Sequence, residues 1–337
     1  MEKGESSKHL QENTVEEDAY WMGLQDKTWL IPTSKMAQVY EESGTLLPLW
    51  DASYFLLKKI GVGDEQTRRF MIYKKQFDIA KFEGYLRKLK SMQVEIIRYV
   101  DKSYPNSLKL IENPPLILLH KGSQVSFENC IAISGTRNPS VYGRIMARKI
   151  AKNLAENGLT VVSGLARGID EWAHCGALEA PQGRSVAVLA WMNPIYPDEH
   201  SELALDIQKR GFILAENFEQ PLDKSASARF VQRNRIISGI SHAVIAIESD
   251  EEGGTVHQVQ IAISQKRRVF ALQPRGNERA MRGFRTFLNL GAIPVKSVKE
   301  ILEQLKNDFT LYSSGSRLDS YYQHSLDRGK LEDSFRR

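Results

Sequence analysis

Between Cys130 and Asp170 the chain alternates in a way that leaves few folds open. An apolar run, Cys130-Ile131-Ala132-Ile133, turns sharply at Ser134-Gly135-Thr136-Arg137-Asn138-Pro139. A helical pattern follows from Tyr142 to Asn157. A second apolar run, Thr160-Val161-Val162, opens into Ser163-Gly164-Leu165-Ala166-Arg167-Gly168-Ile169-Asp170. Strand, glycine turn, helix, strand, glycine turn is the order in which a parallel α/β sheet builds a phosphate site at the carboxyl ends of its strands. Glycine lets a backbone come close to a phosphate, and helix N-termini carry N–H groups with no partner inside the helix. Each turn also carries an arginine, Arg137 or Arg167. Paired turns bearing fixed cations point to an anionic ligand, with a nucleic acid or nucleotide the leading candidate.

The alternation continues to the end of the folded region. Strands are predicted at 130–134, 160–163, 185–190, 212–215, 243–248 and 268–272. Helices are predicted at about 141–157, 169–180, 200–209, 226–239, 255–265 and 279–290. The connecting lengths suit right-handed crossovers. A short strand, Ile293-Pro294-Val295, and a helix at about 297–307 close the series. Upstream, residues 82–98 read as an amphipathic helix leading into a strand at Val94–Tyr99. Asn113-Pro114-Pro115 then leads into an apolar strand ending at Gly122. Residues 1–18 are polar and charged and read as a disordered tail, 19–90 as a small helical domain, 91–308 as the α/β domain and 309–337 as a flexible tail. In the helical domain, Leu56-Leu57-Lys58-Lys59-Ile60-Gly61-Val62-Gly63 resembles a helix-hairpin-helix turn; the domain is of that type or of the sterile-alpha-motif type. The same spacing also fits a plain turn between two core helices.

Charge agrees with a polyanionic partner without requiring one. The 337 residues carry a formal net charge of +5. Cys130 and Cys175 are the only cysteines, too few and too far apart for a disulfide framework or a zinc motif, and they read as reduced, buried thiols. The N-terminus lacks the character of a signal peptide, and no apolar run approaches the ~20 residues that span a bilayer. The expectation is a cytoplasmic protein with no membrane contact, no metal and no cofactor.

Five stretches could carry chemistry. In the first turn, Gly135 and Thr136 can present donors to a phosphate while Arg137 clamps it through two parallel hydrogen bonds. A full Gly-x-Gly-x-x-Gly is absent, which argues against an ordinary NAD site. The second turn offers Ser163, Gly164 and Arg167. Asp170 there can cap the next helix or orient an arginine, and His174 lies one turn on; the pair is read as structural. On the helix after residue 226, Arg229 and Arg233 are i and i+4 and share a face, with Arg235 to one side. Gly253, Gly254 and Thr255 can form an anion cradle at a helix N-terminus, opposed by Asp250, Glu251 and Glu252. Last, Lys266, Arg267, Arg268, Arg275, Arg279, Arg282 and Arg285 suggest a polyanion track. Phe284 and Phe287 lie among them, either to stack on bases or to fill the core.

Taken in order, these stretches resemble the DNA-processing protein A (DprA/Smf) family. The resemblance covers about residues 95–295. It rests on Tyr104-Pro105 with Pro114-Pro115 and Lys121-Gly122; Ser134–Pro139 with Tyr142-Gly143; Ser163–Asp170 with His174; Tyr196-Pro197 with His200; and Arg233-Asn234-Arg235-Ile236-Ile237-Ser238-Gly239 with Ser241. It implies an α/β fold, an extended Rossmann-like, mostly parallel sheet flanked by helices, with a small helical domain before it. It implies single-stranded DNA as the ligand, held by Gly135, Thr136, Arg137, Ser163, Gly164, Arg167, Arg233 and Arg235. It further implies a homodimer, RecA recombinase as a partner and no catalytic reaction; a role in phage defence with a different partner protein is a variant of the same reading. The chain departs from the family's pattern after Glu248, where three acids precede Gly253-Gly254-Thr255, and after Phe270, where an arginine-rich helix follows Gln273-Pro274-Arg275-Gly276. The competing reading is a nucleotide sensor or a nucleotide N-glycosidase, for which Asp170, Glu171 and Glu248 are the nearby carboxylates.

Overall fold

The computed structural model describes residues 16–27, 30–123, 127–221, 223 and 225–313. Among them, nine strands form one sheet: β1 (Glu95–Arg98), β2 (Ile117–Gly122), β3 (Cys130–Gly135), β4 (Thr160–Ser163), β5 (Ser185–Leu189), β6 (Phe212–Ala215), β7 (Ala243–Ile247), β8 (Arg268–Leu272) and β9 (Ile293–Val295). Laterally they run β1-β2-β6-β5-β4-β3-β7-β8-β9. Every pair from β6 to β9 is parallel, and β1 and β2 are antiparallel additions at one edge. The predicted strands and helices between residues 130 and 290 are all present, with ends shifted by about one residue. They are legible because strands covered on both faces must be apolar throughout, and β4, β5, β6 and β7 are buried at every position.

Helices cover both faces. On one side lie α7 (Asn106–Lys109), α11 (Ala226–Gly239), α12 (Gly254–Ser264) and α13 (Glu278–Asn289), packed on Val162, Val186, Val244 and Val269. On the other lie α8 (Val141–Glu156), α9 (Ile169–Glu179) and α14 (Val298–Ser313), packed on Ile131, Ile133, Val161 and Ile245. That second layer is extended over β2, β5 and β6 by α10 (Ser201–Arg210) and by the N-terminal helices. These are α1 (16–24), α2 (Thr33–Ser43), α3 (Leu47–Asp51), α4 (Tyr54–Lys59), α5 (Asp64–Gln76) and α6 (Ile79–Ser91). Trp21, Met36, Leu57, Phe70 and Leu89 share one apolar cluster with Leu119, Leu189 and Ile213. The core therefore runs without a break across residue 90.

Residues 16–18 and 309–313, expected within the tails, are helical. Residues 16–18 open α1, and Glu17 is buried, accepting from the Trp21 indole N–H at 2.8 Å and the Leu46 amide at 3.0 Å. A carboxylate with three donors (Thr45 Oγ1 is the third) holds down a polar segment that composition alone marks as loose. At the other end, residues 309–313 belong to α14. Residues 1–15 and 314–337 lie outside the described residues. The turn at Gly61-Val62-Gly63 joins α4 to α5, with Leu57 and Val62 buried in the core and the Gly63 amide donating to Gln66 Oε1 at 3.1 Å.

The chain order creates a topological switch. From β3 the chain steps to β4, β5 and β6 on one side, then returns to place β7, β8 and β9 on the other. Loops after β3 and β7 diverge there and leave a crevice at the carboxyl rim, where open α/β sheets bind ligands.

Candidate nucleic-acid interface

Two glycines set the rim. At Gly135 a side chain would overlap the Ile247 carbonyl and Ile169, so β3 and β7 can approach only without one. Gly168 has φ +82, and a Cβ there would sit 2.5 Å from the Thr136 carbonyl oxygen. The turns after β3 and β4 are thus pressed together, and the Ile169 amide donates to Thr136 O at 3.2 Å.

The turn after β4 satisfies itself. Asp170 is buried and accepts from the Gly164 amide at 3.0 Å and, more weakly, from the Ala166 amide at 3.4 Å. The Gly168 amide donates to Glu171 Oε2 at 3.4 Å, and the Ser163 hydroxyl donates to Ile133 O at 2.6 Å. Leu165, buried at φ +56, is held on both sides. Its N–H donates to His174 Nε2 at 3.3 Å, and its carbonyl accepts from His200 Nδ1 at 2.9 Å. His174 must then carry its proton on Nδ1, which donates to Ser185 Oγ at 2.7 Å; that hydroxyl donates to Val161 O at 3.0 Å. Burial, then the charges of His200 and Arg233, push His174 down to about 3, so the ring is neutral. The donors that the sequence offers to a phosphate here are turned inward. Arg167 projects from this turn, but Glu199 pairs with it and its guanidinium lies 6.0 Å from the Tyr196 ring centre.

Arg233 lies beneath the rim. It is buried, and Nη1 donates to Gly164 O at 2.7 Å and to Val188 O. A Cβ on Gly164 would overlap this guanidinium, which explains the glycine. Burial pulls Arg233 down to about 10, against the nearby Asp170 charge and with the help of Arg137. Asp170 is raised by the same burial, opposed first by Arg233. The Arg233 guanidinium and the Asp170 carboxyl thus lie close together under the second turn, each opposing the shift that burial imposes on the other. Its neighbours on α11 point elsewhere. Arg235 is engaged by Glu216 through two bonds, at 2.6 and 2.7 Å, and by Asn113 O at 2.8 Å. Arg229 donates to Asn217 Oδ1 at 2.8 Å.

In the turn after β3 the Thr136 amide, expected to face a phosphate, donates instead to Glu248 O at 2.9 Å, and it is the arginine that stays open. Arg137 is exposed, with no carboxylate in ion-pair range among the described residues, and its guanidinium lies 5.7 Å from the Phe230 ring centre. The Thr136 hydroxyl accepts from the Asn138 amide at 3.2 Å. Phe230 belongs to an aromatic cluster that sequence reading missed. Its ring centre is 5.0 Å from that of Trp191 and 5.5 Å from that of Tyr196. Trp191 is buried at the end of β5, its indole N–H donating to Pro194 O at 3.0 Å, while Tyr196 is 40% exposed and can offer a ring to a ligand. Tyr196-Pro197 drew attention only as part of a motif, and Trp191 lacked any signal.

The turn after β7 changes its character. Asp250 and Glu251 were expected to oppose an anion, but α13 draws them aside: Arg279 pairs with Asp250 at 2.6 Å, and Arg282 lies 3.7 Å from Asp250 and 3.8 Å from Glu251. The Gly254 and Thr255 amides at the start of α12 have no internal acceptor among the described residues. Glu248 is buried and accepts from the Ser140 amide at 2.8 Å and from its hydroxyl, fixing the start of α8.

The expected basic track breaks up. Arg267 is buried and donates to the carbonyls of Ser238, Ser107 and Gly239 at 2.8–3.1 Å. Arg268 bonds Gln304 Oε1 at 2.6 Å. Phe284 and Phe287 are core residues and cannot stack on bases. Arg275 remains exposed, 5.2 Å from the Tyr142 ring centre. Among the described residues no helix is long and apolar enough to cross a membrane, and no group of three His, Cys, Asp or Glu could hold a metal.

Comparison with known proteins agrees with this architecture. The family model for DNA recombination-mediator protein A matches residues 95–306. The chain is 34% identical to DNA processing protein DprA of Bacillus subtilis, over 67% of this chain and 76% of that one. It is also 34% identical to protein Smf of Escherichia coli, over 74% of this chain and 66% of that one. Among solved structures it is similar to DNA processing protein A of Streptococcus pneumoniae, with a TM-score of 0.69, 26% identity and coverage of 84% of this chain and 96% of that one. The Helicobacter pylori protein, whose structure was determined for its single-stranded DNA binding mode, matches with a TM-score of 0.57 and 25% identity, over 64% of this chain and 97% of that one.

Proposed function

The chain belongs to the DNA recombination-mediator protein A family, and from that premise we propose that it binds single-stranded DNA at the carboxyl rim of its Rossmann-like sheet, without catalysis. The observation that carries this is an exposed Arg137, without a carboxylate partner among the described residues, set over Phe230 in the Trp191–Tyr196–Phe230 cluster, at the switch between β3 and β7. A guanidinium beside a cluster that exposes the Tyr196 ring is suited to a strand whose bases are free: the cation takes a phosphate and the ring takes a base. Arg137 grips the backbone, the Gly254 and Thr255 amides add donors, and the Ser163–Gly168 turn, propped by Arg233, forms the wall behind. Binding without sequence readout follows, since stacking and phosphate contacts do not distinguish bases.

A fluorescence titration with single- and double-stranded oligonucleotides over a salt series tests this. Preference for the single strand is expected, with a log–log salt slope of about −0.7 per phosphate neutralised. Equal affinity for a duplex would sink the reading. The N-glycosidase alternative is disfavoured because Glu248 spends both oxygens on Ser140, Asp170 Oδ2 accepts from two amides of its own turn, and Glu171 faces the Gly168 amide and His200. Incubation with nucleoside monophosphates should release no base.

The family's mediator role supports extending the reading to a cytoplasmic homodimer that passes its strand to a RecA-type recombinase or to a defence partner. Light scattering tests the dimer, and strand exchange with and without the protein tests the transfer.

A further inference from the structure

We propose that the groove between α8 and the start of α14 is a second contact site for the same single strand, receiving it after it leaves the aromatic cluster at the rim. The inference rests on the single-strand reading above and says where the strand goes. The groove has a volume of about 610 Å³. Lys149, Arg275, Lys296 and Lys299 line it, together with Tyr142 and Met146. One acid lines it, Glu303, which lies 3.7 Å from Lys299.

Its cations differ from those around it. Arg148 is paired with Glu179, Arg268 with Gln304, and Arg279 and Arg282 with Asp250. Lys149 and Lys296 are exposed and have no carboxylate in ion-pair range among the described residues, and Arg275 rests on the Tyr142 ring. Unpaired cations gathered with an aromatic and a thioether match a backbone with unstacked bases; a closed duplex would leave the apolar lining unused.

The groove is also in line with the rim. Arg137 follows β3, Arg275 follows β8 and Lys296 follows β9, all at carboxyl ends of one sheet. Three inter-strand steps separate β3 from β9, about 14 Å, a span of a few nucleotides. Between them, Asp250 and Glu251 are drawn to Arg279 and Arg282 and do not stand alone against a passing strand.

The test compares oligothymidylates of about 3 and about 20 nucleotides, the first too short and the second long enough to fill the rim and reach the groove about 14 Å away. The full chain is used, as wild type, Lys149→Gln/Lys296→Gln, Arg275→Gln and Arg137→Ala. Loss of the two lysines should weaken the long strand roughly tenfold and flatten its salt slope by about 1.4, while the short strand binds as before. Arg275→Gln should shift the long strand in the same direction by a smaller factor. Unchanged affinity and slope for the long strand in both variants would overturn the groove, as would an equal loss on both lengths. Arg137→Ala judges the rim separately, since it should release the short strand whatever the groove does.

Discussion

The two arginine-bearing turns look alike in sequence and do opposite work. Ser134-Gly135-Thr136-Arg137 and Ser163-Gly164-Leu165-Ala166-Arg167-Gly168 each follow a buried strand and precede a helix. Yet the first leaves its cation exposed over Phe230, while the second folds its amides onto Asp170 and Glu171 and yields its arginine to Glu199. The difference lies in what each turn finds within reach. After β4 the helix starts with two acids, and His174 and His200 arrive from two directions to fix Leu165. After β3 the helix starts with Ser140 and no acid, and the one carboxylate nearby, Glu248, is used on Ser140. Backbone donors are spent in both turns, since the Thr136 amide donates to Glu248 O at 2.9 Å, so what separates the two is the state of the arginine.

The sharpest way to break this contrast is to remove the open turn's ligand groups. Arg137→Ala with Phe230→Ala should lower single-strand affinity about 100-fold, combining a lost phosphate contact with a lost stacking face worth about 1–3 kcal/mol per base. A gel-shift or anisotropy titration at fixed salt reads it. Affinity within threefold of wild type would show that the rim is not where the strand sits.

The closed turn should instead answer in stability. Arg233→Met leaves the Gly164 and Val188 carbonyls without their donor and Asp170 without its nearest cation. We expect a loss of about 3 kcal/mol in urea unfolding, since breaking a buried charged network strands its other members. Stability close to wild type would mean that the second turn holds itself without the prop.

Acid reads the same turn more gently. Unfolded His174 takes a proton near pH 6.5, whereas folded His174 resists until about 3. Below pH 6.5 the unfolded chain binds more protons, so this contribution is complete above that value and is lost as the pH falls toward 3. Burial shifts Asp170 the opposite way, so the informative quantity is the difference between wild type and His174→Gln. The variant should be less stable at neutral pH and lose less on acidification. Parallel unfolding midpoints across pH would remove His174 from the account.

Much of the scaffold is written in local pattern, and the site is written there only in part. Runs such as Ala243–Ile247 declare a strand because both faces are buried, and Gly135 and Gly168 mark the rim because only glycine fits. Which cation is free is not a local property. Arg235 is silenced by Glu216, Arg279 and Arg282 by acids 29 or more residues away, and Arg267 by backbone carbonyls of an adjacent helix. The aromatic cluster was hidden for the same reason, since Trp191, Tyr196 and Phe230 meet only because β5 ends and α11 begins at one rim. Glu17 makes the point in reverse: a polar segment is ordered by one carboxylate whose partners include residues of the link between α2 and α3.

The smallest effect discriminates best between the two turns. Arg167 and Arg137 are equivalent by motif, so a reading from sequence alone predicts similar losses when either is removed. The geometry predicts otherwise. Arg167 is half-exposed and already neutralised by Glu199, and an exposed pair of that kind contributes little. Arg167→Ala should therefore change single-strand affinity by less than about threefold, and the salt slope should stay within experimental scatter because no phosphate contact is lost. Glu199→Gln offers the converse check, since it frees Arg167 beside Tyr196 and should, if anything, tighten binding and steepen the slope. An Arg167→Ala loss as large as that of Arg137→Ala would mean that DNA pulls this arginine away from Glu199, and that the second turn opens when the strand arrives.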